Sequence, residues 1–138
     1  MSQIALSLKQ PWATLLVHGL KAIEVRRWPT TRRGRILIHA ARVPDARKEA
    51  WQHVPAHLQE AAKIGGGIIG AASLVECVSY AEMAKFLADR AKHLNEESWY
   101  EPKLFGFVFE QPESLPFRRY SGWFKFFEVE DVAEPVTP

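Results

Sequence analysis

Alternation of apolar and polar residues in the first forty positions predicts three short strands with one helix among them. The strands run from Ile4 to Leu8, from Lys21 to Arg26 and from Arg35 to Ala40, each with the period of two that marks a half-buried strand. Between the first two strands, apolar residues have helical spacing from about residue 11 to residue 18. Pro11 suits the first helical position, because a proline has no N–H to leave unpaired there.

The middle of the chain predicts further short elements. From Pro44 to about Lys63 the apolar period is helical, and Pro55 divides it into two short helices. Residues Ile68 to Val78 form a nearly continuous apolar run that is rich in glycine and alanine, as expected for a strand that curls in a barrel. A capping-box spacing at Ser79 then predicts a helix that ends near residue 94.

Two more strands complete the pattern, from Leu104 to Glu110 and from about Trp123 to Val129, with the QPESLP segment as a loop between them. Five or six short strands without regularly alternating helices predict a small mixed β-barrel with peripheral helices, in the α+β class. A length of 138 residues suits one domain, which we place over residues 1–138.

Composition narrows the class of protein. A hydrophobic content of 47% with 25% charged residues is typical of a folded globular chain. The first residues lack the pattern of a signal peptide, and no apolar run reaches the roughly 18 residues of a membrane span. We therefore expect a cytoplasmic protein without a membrane segment. The one cysteine, Cys77, lies in an apolar run and is interpreted as a packing residue.

Charge is distributed unevenly along the chain. Residues 1–48 carry ten Lys and Arg against two Asp and Glu, whereas the remaining residues carry eight against fourteen. A positive field over part of the surface favours polyanions such as nucleic acid. The alternative is that these charges only keep the protein in solution.

Polar and aromatic residues interrupt the apolar pattern between residues 6 and 40. They combine cations, one carboxylate, stacking surfaces and imidazoles, a mixture that suits an anionic planar ligand. The candidate binding residues are Lys9, Gln10, Lys21, Glu24, Arg26, Trp28, Arg32, Arg33, Arg35 and His39.

Lys21 and Glu24 are the candidate catalytic pair. Strict alternation in a strand would put them on opposite faces, so they meet only if Lys21 lies in the turn before the strand. A lysine desolvated in a cleft has a lowered pKa and can act as a base or nucleophile, and a nearby carboxylate can orient water or accept hydrogen bonds from the amino edge of a base. The simpler interpretation is a structural ion pair.

Aromatic residues and histidines have both structural and functional interpretations. Trp28 follows a strand among arginines and suits stacking on a base, whereas the helical spacing of Trp12 favours packing. His39 lies in an apolar strand, where a hydrogen-bonded structural histidine is the usual finding. The RRYSGWF segment, with Trp123, either lines the same cleft or is a basic turn before an edge strand.

Signatures of metal and cofactor binding are absent from the sequence. The histidines have no cysteine or carboxylate partners at metal-ligand spacing, and Pro55 separates His53 from His57. The chain also has no Walker loop, G-x-G-x-x-G or G-x-S-x-G motif. We predict neither a metal nor a cofactor.

Three stretches together, LSLKQPWA, GLKAIEVRRWP and GRILIHAA, resemble the ASCH domain family. The resemblance extends less strongly through GGIIGAASLVECV to the C-terminal strands. It implies a PUA-like β-barrel with peripheral helices and a cleft, beside the first helix, that binds RNA or modified nucleosides. Carried over by position, the cleft residues are Lys9, Gln10, Lys21, Glu24, Arg26 and His39.

The resemblance also implies an enzymatic alternative. Some small members of the family remove the acetyl group from N4-acetylcytidine, and others are described as nucleases. The amidohydrolase pattern is Lys-x-x-Thr followed by a later glutamate; here Lys21 matches, but Glu24 stands in the threonine position, and Glu76 and Glu101 are candidates for the later glutamate.

Three functional hypotheses follow. The first is a binding module for RNA or a modified nucleoside, with Arg26, Arg32, Arg33 and Arg35 on phosphate, Trp28 stacked on a base, and Lys21 and Glu24 on base edges. The second is a small hydrolase that uses Lys21 and Glu24 on acylated cytidine or RNA. The third is a protein-interaction domain that uses the acidic C-terminal part.

Overall fold

A computed structural model describes residues 2–130 of the chain. Six strands form one sheet in the order β2-β5-β4-β3-β1-β6. Strands β1 and β3 pair in parallel, and all other neighbours are antiparallel. The strands are β1 Ser2–Leu8, β2 Ile23–Arg26, β3 Gly34–Ala40, β4 Gly67–Ser79, β5 Phe105–Arg119 and β6 Phe126–Glu130.

The sheet curls into a half-barrel. Phe107 of β5 and Phe126 of β6 stack with ring centroids 6.0 Å apart, although three strands separate β5 from β6 in the sheet order. Trp28, just after β2, contacts both rings edge-on at 5.0 and 5.5 Å. The two ends of the sheet therefore approach each other across aromatic packing, which confirms the mixed barrel of the α+β class.

Short helices lie outside the sheet. The α-helices are α1 Trp12–Val17, α2 Lys48–Trp51, α3 Met83–Ala88 and α4 Arg90–His93, and 3₁₀ turns cover Ala56–Leu58, Ala61–Lys63 and Glu97–Trp99. Helix α1 is buried along its whole length. It packs on β4 at Gly70, where an added Cβ would lie 2.4 Å from a Val17 methyl carbon.

The two faces of β3 pack against different sets of residues, as the alternation predicts. Ile36 and Ile38 join the main core with α1. Leu37 belongs to a smaller cluster on the opposite face with Val129, and His39 contacts the Phe127 ring edge-on there. Side chains of β3 alternate between faces because successive Cβ atoms of a strand point to opposite sides.

Several element boundaries differ from the predictions. Pro11 precedes the first helical residue and follows a cis peptide bond. The segment after Pro44 contains one α-helix of four residues and two 3₁₀ turns in place of two helices, and the backbone is extended at Pro55. The capping box at Ser79 is wrong, because Ser79 ends β4 and the helix that starts at Met83 has no side-chain cap.

The C-terminal strands differ most from the prediction. Strand β5 continues through QPESLP to Arg119, because β4 provides pairing partners along that segment. The register of the two strands shifts between Glu110 and Glu113 of β5, and Gln111 in this stretch has a φ of 52°. Strand β6 begins at Phe126, so Trp123 lies in the preceding loop. Residues after 130, which carry two of the fourteen Asp and Glu of the acidic C-terminal part, fall outside the described residues.

Within residues 2–130, no helix is long and apolar enough to cross a membrane. In the same part of the chain, no three His, Cys, Asp or Glu side chains cluster as metal ligands would. Cys77 is half-buried and packs against the main core.

Candidate functional site

A cleft of about 630 Å³ lies between the end of β1, strand β2, the loop that precedes β5 and the loop between β5 and β6. Its volume lies within the range typical of ligand pockets. Aromatic rings form much of the lining: Trp12, Trp28, Trp99, Trp123 and Phe124.

The cleft is positively charged. Among the described residues, five cations line it against two carboxylates: Lys9, Arg26, Arg27, Arg47 and Lys125 against Glu24 and Asp45. Lys9 is exposed and makes no ion pair or hydrogen bond through its ammonium group within residues 2–130. An anionic ligand in the cleft therefore meets at least one cation that has no partner among the described residues.

Strand β2 forms one wall, and Arg26 fixes its position. The Nε of Arg26 donates a hydrogen bond to Glu24 Oε2 at 3.0 Å, and its Nη2 donates to the backbone oxygen of Ser7 at 2.8 Å. Glu24 and Arg26 are two residues apart and so share a face of the strand. The second bond joins β2 to the end of β1, beyond the residues of β1 that pair with β6.

Lys21 lies beside the cleft and is only 2% exposed. It precedes β2, as its meeting with Glu24 requires, and its Nζ lies 3.5 Å from Glu24 Oε1. The ammonium group also donates to the backbone oxygen of His93 at 2.7 Å and lies 4.8 Å from the Trp12 ring centroid. Burial lowers the pKa of Lys21 to about 8, although the charge of Glu24 acts to raise it.

Asp45 organises a second part of the cleft wall. Its carboxylate accepts hydrogen bonds from Trp12 Nε1 at 2.8 Å and from Arg47 Nη2 at 2.7 Å. Burial acts to raise the pKa of Asp45, but the bonds from Arg47 and Trp12 outweigh it and lower the pKa to about 2. Arg47 in turn lies against the face of Trp99, with its Cζ 3.6 Å from the ring centroid.

Trp28 lines the cleft but is held by other rings. It is half-buried and packs edge-on against Phe107 and Phe126. The Nζ of Lys125 lies 5.4 Å from the Trp28 ring centroid. Trp28 therefore presents a fixed part of its indole to the cleft.

Trp123 and Phe124 are the exposed aromatic residues of the site. They are 67% and 70% exposed, and their ring centroids lie 5.5 Å apart. Both belong to the loop between β5 and β6 and line the cleft. Trp123 therefore lines the cleft, as one of the two interpretations of RRYSGWF predicted. Tyr120 instead packs with the smaller cluster, on the face of β3 that carries Leu37.

Two of the predicted binding residues, Gln10 and His39, are buried, form hydrogen bonds within the protein and do not line the cleft. Gln10, 2% exposed, accepts from the Thr14 backbone and donates to the backbone oxygen of Ile64. His39, 1% exposed, lies 2.7 Å from the Tyr120 backbone oxygen through Nε2. A carbonyl only accepts, so Nε2 carries the proton. Burial lowers the pKa of His39 and favours the neutral ring, in which Nδ1 accepts from the Ser7 hydroxyl.

The three predicted arginines of the β2–β3 turn and β3 are exposed and do not line the cleft. Arg32 lies over the Phe126 ring with its Cζ 5.2 Å from the centroid. Arg33 donates to the backbone oxygen of Thr30. Arg35 forms an ion pair with Glu113 on β5.

Glu76 and Glu101, the two candidates for the later glutamate of the amidohydrolase pattern, lie at different distances from the cleft. Glu76 is exposed on β4 and does not line the cleft. Glu101 forms an ion pair with Arg27 at 2.8 Å, and so lies at the rim. Of the sequence-based candidates, the cleft collects Lys9, Glu24, Arg26 and Trp28, with Lys21 buried behind them.

Sequence reasoning missed Asp45, Arg47, Trp99, Phe124 and Lys125. One signal was present: Asp45 is one of only two carboxylates among the first 48 residues. A carboxylate isolated in a basic segment is a candidate partner for an arginine, and Arg47 follows two positions later. The loop residues carried no such signal, because their approach depends on the curl of the sheet.

A known protein family and several known proteins are similar to this chain. The ASCH domain family model matches residues 6–135. Activating signal cointegrator 1 is 30% identical over 123 residues in Homo sapiens and 28% identical over 118 residues in Mus musculus. In each case the match covers 80% of this chain but only 19% of the relative, so the chain spans about a fifth of these relatives' length.

Solved structures show the same fold. The crystal structure of ASCH from Zymomonas mobilis superposes with a TM-score of 0.59 at 18% identity, covering 85% of this chain and 73% of the other. A point mutant of that protein superposes with a TM-score of 0.58 at 17% identity, covering 85% of this chain and 75% of the other. With the family model matched across nearly the whole sequence, the chain belongs to the ASCH domain family.

Proposed function

We propose that this protein binds a ribonucleotide unit, either free or within RNA, in the cleft beside β2. The observation that carries the proposal is the convergence of five aromatic side chains and five cations on one cavity of about 630 Å³. Aromatic rings stack on bases and cations contact phosphates, and single-stranded nucleic acid is bound through this combination. Membership of the ASCH family, which the sequence resemblance associates with RNA, supports the same ligand class.

Trp123 and Phe124 provide the stacking surface. They are the most exposed large hydrophobic side chains of the cleft, and exposure of neighbouring aromatics has a cost unless a ligand covers them. Trp28 lines the same cleft, with the ammonium group of Lys125 5.4 Å from its ring centroid. A base that enters the cleft thus meets two exposed rings and one fixed indole.

Lys9 and Lys125 are the proposed phosphate contacts. Lys9 has no ion-pair partner in residues 2–130, and the ammonium group of Lys125 interacts only with the Trp28 ring there. Arg27 and Arg47 are already paired with Glu101 and Asp45. The two lysines can therefore neutralise a phosphate without breaking an existing ion pair.

Glu24 is proposed to accept a hydrogen bond from the amino edge of the base. Its carboxylate lines the cleft and is held by Lys21 at 3.5 Å and by Arg26 at 3.0 Å. An ionised carboxylate only accepts, so it favours bases with an exocyclic amino group over uracil.

Hydrolysis of an acylated cytidine or of RNA is the second candidate function. It is favoured by the Lys21–Glu24 pair, because a buried lysine with a pKa lowered to about 8 beside a cleft carboxylate is a typical catalytic arrangement. Glu24 would take a proton from an attacking water. The sequence-based assignment of Lys21 as the reacting group would require it to reach the substrate from its buried position.

One calorimetric titration separates these functions. Purified protein is titrated with the four ribonucleoside 5′-monophosphates, with N4-acetylcytidine and with a single-stranded RNA at low salt, and the products are then analysed by chromatography. Binding without turnover supports the first function, and turnover that Glu24→Gln abolishes supports the second.

Variants assign the cleft in the same assay. Trp123→Ala with Phe124→Ala should weaken binding by about tenfold or more, since stacking on an aromatic is worth roughly 1–3 kcal/mol per base. Phe117→Ala, which removes another exposed aromatic that does not line the cleft, should not. Equal effects of the two changes, or no binding by the unaltered protein, would overturn the proposal. Arg32→Ala with Arg33→Ala tests their predicted phosphate contacts.

A further inference from the structure

A second cavity of about 330 Å³ lies next to the cleft. It is lined by Gln10, Ala41, Arg42, Pro44, Trp51, Lys63 and Gly65. The buried Gln10 amide bonds to the Ile64 backbone, and an added Cβ at Gly65 would lie 2.4 Å from the Ala41 backbone oxygen. Close packing of this kind makes the cavity a preformed feature of the fold.

The two cavities adjoin at the segment that follows β3. Ala41 borders both. Asp45 holds one indole of each: its carboxylate accepts from Trp12 in the cleft, and its backbone oxygen accepts from Trp51 Nε1 at 2.7 Å. The linings of the two cavities are thus joined by Ala41 and by the two hydrogen bonds that Asp45 accepts.

The lining of the second cavity combines an apolar floor with two cations. Trp51 and Pro44 supply apolar surface, and Arg42 and Lys63 supply positive charge. The Arg42 side chain makes no hydrogen bond or ion pair within the described part of the chain. Lys63 pairs with Glu60 at 3.3 Å, but both side chains are largely exposed, and such a pair contributes little.

We propose that the second cavity holds the nucleotide next to the one in the cleft, so that the ligand is a single-stranded RNA of at least two nucleotides. Trp51 and Pro44 contact its base or ribose, and Arg42 and Lys63 contact the phosphate that links the two nucleotides. The cavity is about half the volume of the cleft, which suits one further unit. This inference rests on the proposed function of the cleft.

The experiment compares ligand length. A ribonucleoside 5′-monophosphate, the corresponding dinucleotide and a single-stranded hexanucleotide are titrated calorimetrically into the unaltered protein and into Arg42→Ala/Lys63→Ala. The control is Lys85→Ala/Lys103→Ala, which removes the same charge from exposed positions that line neither cavity.

We expect the dinucleotide to bind about tenfold more tightly than the mononucleotide, and the Arg42/Lys63 variant to lose most of that gain without a change in mononucleotide affinity. The control should retain it. Equal affinity for the two ligands, or equal loss in both double variants, would overturn the second subsite while leaving the cleft intact. Failure of every probe to bind would overturn both.

Discussion

Asp45 is the residue on which the geometry of the candidate site most depends. One carboxylate joins Trp12 of the first helix to Arg47, and Arg47 covers Trp99 from the distant loop before β5. Three separate parts of the chain thus meet at one buried anion. A buried carboxylate is tolerated because each of these donors replaces the water that burial removes.

Asp45→Asn should lower the free energy of unfolding by about 1–3 kcal/mol at pH 7, because it weakens charge-assisted hydrogen bonds. The folded pKa of about 2 lies below the ordinary value of 3.8, so the carboxylate stabilises the fold above pH 3.8 and loses this effect as the pH falls toward 2. The difference between the two proteins in urea unfolding should therefore shrink over that range.

Glu110→Gln provides the control for this pH series. Glu110 is exposed and makes no ion pair within residues 2–130. Its substitution should change the free energy of unfolding little at any pH. A difference between Asp45→Asn and the unaltered protein that stays constant from pH 5 to pH 2 would contradict the role given to Asp45.

At the scale of elements, helix α1 depends on a glycine in the strand beneath it. Gly70 of β4 lies so close to α1 that an added Cβ would meet the Val17 side chain and the Glu113 backbone oxygen, each at 2.4 Å. This approach sets the height of α1 above the sheet. It thereby positions Trp12, at the start of the helix, in the cleft.

Gly70→Ala should destabilise the protein by about 1–3 kcal/mol, as overpacking of a tight contact does. Urea unfolding measures this, with Ser73→Ala on the same strand as the control. Combining Gly70→Ala with Val17→Ala should restore part of the loss if the helix contact is the cause. An unfolding midpoint for Gly70→Ala equal to that of Ser73→Ala would contradict this account.

The sequence predicted most strands because their alternation is local information. The alternation assigns the two faces of β3 directly: Ile36 and Ile38 belong to the main core, and Leu37 belongs to the smaller cluster on the opposite face. The long extension of β5 through Pro112 and Pro116 was not predicted, since prolines and polar residues favour a loop there. Pairing with β4 overrides that local preference.

At the scale of the whole molecule, the curled sheet creates the site. The cleft lies where β2, the edge strand at one side of the sheet, approaches the C-terminal end of β1. The hydrogen bond from Arg26 to the Ser7 backbone oxygen joins the two strands there. Four of the five cleft cations found among the described residues come from the first 48 positions, so the charge asymmetry of the sequence did predict the basic wall. The contribution of Lys125 and its aromatic neighbours required the tertiary fold.

The five tryptophans of the chain all border the two cavities, and Trp12 is at the same time part of the main core. Four line the cleft and the fifth, Trp51, borders the second cavity. Intrinsic fluorescence is therefore a built-in reporter of occupancy. A nucleotide should quench the emission by stacking, whereas inorganic phosphate at the same concentration should leave it nearly unchanged, and equal quenching by both would contradict stacking. Spectroscopy without any attached dye can thus follow each ligand into this protein.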